Sequence, residues 1–134
     1  MLYKSLVLCE IALIDARTNN LSLINLIEEI QAVGFPVMLS HLCVVAQIEK
    51  EAIDTDDQGL FTIRMRLNER QLFTQPVTAN FMGRSKSRLV VDISGLPITE
   101  PGTLVVQLVR DDAAVLSSSI VIRIPEAPQV TQTV

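Results

Sequence analysis

Apolar and polar residues alternate along most of this chain, a pattern typical of β-strands that turn one face towards a core. The clearest case is the segment 61–67, in which Phe61, Ile63 and Met65 alternate with threonine and arginine. The other segments that show this period, or a more heavily buried form of it, are 6–14, 21–33, 41–50, 72–81, 88–94, 104–108 and 114–124. About eight strands joined by turn-rich loops predict an all-β protein.

The segment 21–33 is the ambiguous one, because two periods fit it. A helical stripe would use Leu23, Leu26, Ile27, Ile30 and Val33. Asn20 would then be the N-cap of that helix. A strand would need a bulge near Asn25 or Glu29 to restore its alternation. Since the neighbouring segments are all strands, we expect a strand here.

Turn residues mark the ends of these segments. Asn19-Asn20 suits a tight hairpin after the first strand, and Gly34-Phe35-Pro36 breaks the chain before the third. Pro76 lacks a backbone donor, which favours an edge strand. Gly95-Leu96-Pro97 is expected to end its strand, and residues 110–113 are expected to turn the last two strands into a C-terminal hairpin.

These elements predict an antiparallel β-sandwich of about eight strands, immunoglobulin-like in its general architecture. A partly closed β-barrel is the alternative, because periodicity does not report whether a sheet closes. We expect a single domain over residues 1–124. Residues 125–134 contain two prolines and no apolar period, which predicts an extended or disordered tail.

Composition narrows the class of protein. Of the 134 residues, 49% are hydrophobic and 19% are charged, which excludes a disordered chain. A net charge of −4 and only 4% aromatic residues argue against nucleic acid as a partner. Glu10 interrupts the only signal-like run, and no apolar stretch approaches the roughly 20 residues of a membrane span. We therefore expect a cytoplasmic protein with no membrane partner.

Candidate chemistry is sparse. His41 is the only histidine and lies two positions from Cys43 on what should be one strand face, but catalysis there would also need an orienting carboxylate and an oxyanion hole, and no Gly-x-Ser-x-Gly elbow occurs in the chain. Cys9 and Cys43 lack the spacing of a metal site, so we expect buried structural thiols. We predict no enzyme, no cofactor and no catalytic residue.

The loop that begins Asp54-Thr55-Asp56-Asp57-Gln58-Gly59 shares its first positions with a calcium loop. The twelfth position, which needs a bidentate glutamate, is Met65 inside a strand. We therefore expect an ordinary acidic loop and no metal site.

One basic cluster stands out, at Arg84, Lys86 and Arg88. Such a cluster is a possible anion patch that could hold a phosphate or an acidic partner, and solvated charges on exposed strands are the alternative. The five glycines stand singly at turns, so the sequence contains no phosphate-binding loop.

The last two strands carry more apolar residues than a sheet with one wet face needs. Val105, Val109, Val115 and Val121 alternate with the residues expected to face inwards. They form a possible interface, either for a second copy or for an unidentified protein partner. The sequence thus favours a noncatalytic protein-interaction or self-assembling module. The alternative is a small-ligand carrier or sensor with an aliphatic pocket.

Four short motifs resemble those of a family of short uncharacterised bacterial proteins with an all-β fold. They are Leu8-Cys9-Glu10, Asn20-Leu21-Ser22-Leu23, Phe35-Pro36-Val37, and the segment from Gly95-Leu96-Pro97 to Pro101-Gly102. The chain departs from that family at two places. At Thr103-Leu104 the family usually has an aromatic residue, and at Asp111-Asp112-Ala113 the family has an acidic residue followed by glycine. The resemblance implies strand over residues 21–31 and a bacterial cytoplasmic setting, and it brings no established activity or site.

Overall fold

The computed structural model describes residues 1–125, which form nine β-strands and no helix. The strands are β1 (Leu2–Ile14), β2 (Leu21–Leu26), β3 (Glu29–Gln31), β4 (Val37–Glu49), β5 (Gln58–Leu67), β6 (Arg70–Asn80), β7 (Lys86–Ile98), β8 (Gly102–Arg110) and β9 (Ala113–Arg123). The all-β prediction is confirmed. Apart from Pro125, the predicted tail lies outside the described residues.

The strands form two sheets, one of which curls into a half-barrel. The four-stranded sheet has the order β2-β1-β4-β7, and the five-stranded sheet has the order β3-β9-β8-β5-β6. Neighbouring strands are antiparallel except β3 and β9, which run parallel. The sheets are therefore not purely antiparallel, and the curl gives the fold part of the character of the barrel alternative.

The main core lies between the two sheets and is built from the alternating residues of both. Val44 and Ile93 contribute from the four-stranded sheet, and Ile63, Met65 and Leu108 from the five-stranded one. No polar or charged residue is buried within residues 1–125. Burial of each large aliphatic side chain contributes about 1.5–3 kcal/mol, so this core is the main source of stability.

Segment 21–33 is extended, as predicted, and it serves both sheets. β2 pairs with β1 in the four-stranded sheet, whereas β3 pairs with β9 in the five-stranded sheet. Residues 27 and 28 carry the chain from one sheet to the other. Asn25 has a φ of 56°, but the register of β2 with β1 is the same on both sides of it, so the bulge expected near Asn25 is not found there.

Two predictions about proline have different outcomes. β6 pairs only with β5, where Pro76 lies opposite Thr62, so the prediction of an edge strand is confirmed. The prediction that Gly95-Leu96-Pro97 ends its strand is wrong. β7 continues through these residues, with Pro97 opposite Met38, because Gly95 takes a φ of 73° without a shift in the ladder register.

Candidate binding surfaces beneath the β1–β2 arm

The β1–β2 hairpin folds back over its own sheet. β1 pairs with β4 only as far as Cys9, and its remaining residues pair with β2 alone. We call residues 10–26 the arm. Its side chains Ala12 and Leu23 pack on the face of the four-stranded sheet that points away from the main core. At the arm's tip, Arg88 Nη2 of β7 donates a hydrogen bond of 2.7 Å to the carbonyl oxygen of Asn19.

The arm encloses a second, smaller core. Its buried members are Cys9, Cys43 and Val45, which alternate with main-core residues along β1 and β4. Cys9 and Cys43 lie directly opposite each other on neighbouring strands, and both are buried free thiols, as predicted. The outer face of this sheet is thus covered by the sheet's own extended strand.

A cluster of three chemically different side chains lies at the rim of this second core. The Cys43 thiol donates a hydrogen bond of 2.7 Å to Asp92 Oδ1, and Asp92 stands directly opposite Cys43 in the β4–β7 ladder. His41 Nε2 lies 3.6 Å from the same oxygen. The thiol, imidazole and carboxylate ligand atoms all lie within 4.8 Å of one another. Residues from only two adjacent strands therefore build the cluster.

The cluster combines one buried group with two accessible ones. Cys43 is buried, whereas the side chains of His41 and Asp92 are 46% and 68% exposed. Burial, followed by the hydrogen bond to Asp92, raises the pKa of Cys43 to about 11. Burial also raises the pKa of Cys9. Near neutral pH both thiols are protonated, so Cys43 is not an activated nucleophile.

The strand pattern predicts that His41 and Cys43 share one face, but it does not indicate Asp92 as their neighbour. Asp92 is 49 residues from Cys43 along the chain, and only the β4–β7 register brings it to the thiol. A signal was available in the pattern, because Asp92 lies between the apolar residues Val91 and Ile93 at the centre of a strand. Its partner on the next strand depends on pairing, which alternation alone does not specify.

A basic cleft of about 720 Å³ opens at the other end of the arm. It lies between the arm's tip, represented by Asn19, and the turn into β7. The cations that line it are Lys4, Arg84, Lys86 and Arg88. Glu49 is the carboxylate in the lining and lies 3.6 Å from Lys4 Nζ. The three residues of the predicted anion patch therefore share one concave surface.

The predicted interface on the last two strands is only partly exposed. Val121 is 52% exposed and Val105 is half-buried. Val109, in contrast, is only 8% exposed, and Val115 packs against the main core. A register shift between Leu108 and Val109 changes the faces that follow it, so the assumption that all four valines point outwards is wrong.

A group of exposed apolar residues also lies on the arm. Ile11, Leu13 and Ile24 are all exposed, and Ile11 lies directly opposite Ile24. Cross-strand partners of this kind share one face of a hairpin. We call these three residues the arm stripe.

The acidic loop before β5 has internal partners. Asp54 lies 2.9 Å from the N-terminal ammonium of Met1, which lowers the pKa of that carboxyl. Asp57 accepts hydrogen bonds from the Gly83 backbone and lies 3.1 Å from Lys50 Nζ, and these partners lower its pKa. The loop therefore contacts the chain terminus through Asp54 and the turn after β6 through Asp57.

One known protein family matches nearly the whole chain. Residues 4–123 match the family of unknown function DUF6941. The chain belongs to this family. The resemblance seen in the short motifs is thus confirmed at the level of an uncharacterised family, over nearly the whole chain. No curated protein matches the sequence. Among residues 1–125, no helix is long and apolar enough to cross a membrane.

Proposed function

We propose that this chain is a noncatalytic protein-interaction module, built on a β-sandwich of the general immunoglobulin-like kind, that binds an acidic segment of a partner protein in the basic cleft. The observation that supports this function is the local charge. Four cations and one carboxylate line a single cleft, in a chain whose net charge is −4. A surface of one sign inside a concave wall attracts the opposite charge over a distance of several ångströms.

The exposure of these cations favours a protein segment over a small anion. Arg84 and Lys86 are exposed to solvent. An exposed ion pair is worth about 0.2–1 kcal/mol, so a small anion that reaches three cations gains on the order of 1–3 kcal/mol. Millimolar affinity needs about 4 kcal/mol. A ligand held by charge alone would therefore bind weakly, and useful affinity requires additional buried surface.

The arm stripe provides that additional surface. Ile11, Leu13 and Ile24 are exposed on the same arm whose tip, at Asn19, forms one wall of the cleft. A partner segment that places carboxylates in the cleft and apolar side chains on the stripe gains both electrostatic attraction and the free energy of apolar burial. Burial of apolar area contributes roughly 25 cal/mol per Å², so the stripe adds affinity, while the cleft sets specificity.

One observation supports a binding role without catalysis, and a second supports a reducing compartment. The thiol, imidazole and carboxylate at the rim of the second core contain no ready nucleophile, because the pKa of Cys43 is raised to about 11. The facing thiols Cys9 and Cys43 are free, which suits the bacterial cytoplasmic setting that we include in the proposal.

A matched pair of charge reversals tests the cleft. Arg84→Glu changes a cation of the cleft, whereas Arg66→Glu makes the same change on β5, in the other sheet. With a labelled peptide that contains both glutamate and leucine residues as the probe and fluorescence anisotropy as the measurement, we expect Arg84→Glu to weaken binding about three- to tenfold. Arg66→Glu should leave binding unchanged. Added salt should weaken binding to the wild-type chain.

Three results would overturn the proposal. Equal effects of the two reversals would show that only the overall charge matters. Inorganic phosphate that binds as tightly as the peptide would instead indicate a small-anion carrier. A peptide that binds only to a dimer, detected by light scattering, would assign the surface to assembly with a second copy.

A further inference from the structure

We propose that Cys43, His41 and Asp92 form a binding site for a zinc ion at the rim of the second core. The three side chains offer one sulfur, one nitrogen and one oxygen ligand atom, which lie within 4.8 Å of one another. Zinc takes these three donor types, usually in tetrahedral geometry. Calcium and magnesium prefer oxygen ligands alone, so the donor set favours a transition metal. This site is separate from the basic cleft and does not depend on its function.

The two distances from Asp92 suit an ion after small side-chain movements, and the ligand atoms of Cys43 and His41 lie within 4.8 Å of each other. Zinc lies about 2.0–2.3 Å from its ligands, so tetrahedral ligand atoms lie roughly 3.3–3.8 Å apart. His41 Nε2 and Asp92 Oδ1 are already 3.6 Å apart. Cys43 Sγ and Asp92 Oδ1, now 2.7 Å apart in a hydrogen bond, must separate by about 1 Å. The exposed side chain of Asp92 can move by that amount without disturbing the core.

The backbone holds the three ligands on a rigid frame. Cys43 and Asp92 are cross-strand neighbours, and His41 precedes Cys43 by two positions on the same strand. Ligands on paired strands are placed more accurately than ligands on loops. Because His41 and Asp92 are exposed, a metal can enter from solvent and keep a water molecule as its fourth ligand.

Burial and the hydrogen bond to Asp92 favour the protonated Cys43 thiol, and one backbone contact opposes them. The backbone N–H of Ala12, on the arm, donates towards the Cys43 sulfur and favours its ionised form. Such outer partners orient a ligand and strengthen its binding. On binding, the Cys43 S–H bond breaks, the sulfur keeps the electron pair and bonds to zinc, and the proton leaves to solvent. No oxidant or reductant takes part.

The facing thiol Cys9 provides an internal control. It is buried opposite Cys43 but lies outside the group of three ligands. Cys9→Ser and Cys43→Ser therefore make the same chemical change at neighbouring buried positions. Only the second change removes a proposed ligand.

The test titrates the metal-free full-length chain with zinc in a calorimeter and with cobalt(II) in a spectrophotometer. We expect one zinc ion per chain, and a cobalt complex with tetrahedral visible bands and a sulfur-to-cobalt charge-transfer band. Cys43→Ser should abolish the charge-transfer band and weaken zinc binding about a hundredfold. Cys9→Ser should retain the band and the stoichiometry.

His41→Ala keeps the test decisive if a cysteine variant fails to fold, because His41 is exposed and packs in neither core. We expect it to weaken zinc binding at least about tenfold with an unchanged melting temperature of the metal-free chain. The proposal is overturned if the wild type shows no charge-transfer band. It is also overturned if Cys9→Ser removes binding as fully as Cys43→Ser, or if His41→Ala binds zinc as the wild type does.

Discussion

The two faces of β4 illustrate two ways to bury a sheet. Val44 points into the main core and is covered by the five-stranded sheet. Its neighbour Val45 points the other way and is covered by the arm. Both valines are buried to the same extent. The first cover is a whole five-stranded sheet, whereas the second is a single two-stranded hairpin.

The difference decides where chemistry can occur. The main core is apolar, and no polar or charged residue is buried in it within residues 1–125. The second core is narrow, so its edge brings the buried Cys43 thiol to the exposed groups His41 and Asp92. The tip of the same arm forms a wall of the basic cleft. Both proposed binding surfaces therefore follow from folding a strand back over its own sheet.

The largest expected effect compares Val44→Ala with Val45→Ala. Each change removes two buried carbon atoms at about 0.8 kcal/mol each, and a cavity adds to the loss. We expect Val44→Ala to lower the free energy of unfolding by about 2–3 kcal/mol. Val45→Ala should cost about 1–2 kcal/mol, because the arm can settle into part of the space. Urea denaturation measures both values.

Equal losses for the two valines would contradict this comparison, since they would mean that the arm is as rigid as the opposing sheet. Leu42→Ala, in the main core, serves as a positive control for the range of the assay. It should cost about 2–5 kcal/mol.

A smaller effect is expected when the tip of the arm is released. Arg88→Ala removes the hydrogen bond to the Asn19 carbonyl, which is worth about 1 kcal/mol. Local opening of the arm then becomes about fivefold more frequent, and the second core is exposed in that state. We expect alkylation of Cys9 and Cys43 under native conditions to accelerate by that factor, as measured by mass spectrometry.

The matched control is Arg66→Ala, which removes an arginine from the other sheet. It should leave alkylation at the wild-type rate. If Arg88→Ala also leaves the rate unchanged, the arm is held by its apolar contacts alone.

The smallest expected effect concerns the stability of the native state at acidic pH. Neither core buries a charged residue within residues 1–125, so acid sensitivity should arise in the loops. The Gly83 backbone and Lys50 hold the pKa of Asp57 below its unfolded value of 3.8. These contacts therefore stabilise the native state above that pH, and the stabilisation is lost as pH falls through the lower native pKa.

Asp57→Asn should accordingly lower the melting temperature at neutral pH, and its difference from the wild type should narrow below about pH 4. The control is Asp56→Asn, because Asp56 has no side-chain partner among residues 1–125. A difference for Asp57→Asn that persists unchanged at low pH would mean that the charge of Asp57 does not matter.

Much of the fold could be predicted from alternation. The hairpin turn at Asn19, the edge position of Pro76 and the extended state of 21–33 all follow from local patterns. Errors occurred where one residue changed the backbone geometry. Gly95 continued a strand that it was expected to end, and the register shift after Leu108 turned Val115 towards the core.

Of the two candidate sites, one could be predicted from the sequence and the other could not. The basic residues Arg84, Lys86 and Arg88 are close in sequence, so their shared surface could be anticipated. The Cys43–Asp92 contact could not, because it depends on which strands pair and in which register. A one-residue slip of that ladder would move Asp92 to the opposite face of the sheet.

The sequence by itself determined that this is an all-β chain with a large aliphatic core, since strand period and apolar content are local properties. It also predicted a heavily buried strand over residues 6–14, which is correct for Leu6, Leu8 and Cys9 but wrong for residues 10–14, because that half of β1 belongs to the arm and is mostly exposed. Only the tertiary structure decided that the arm covers the outer face and that His41, Cys43 and Asp92 meet there. The physical reason is that alternation assigns each side chain to a face, whereas strand pairing and the direction in which a hairpin folds are set by contacts between distant residues.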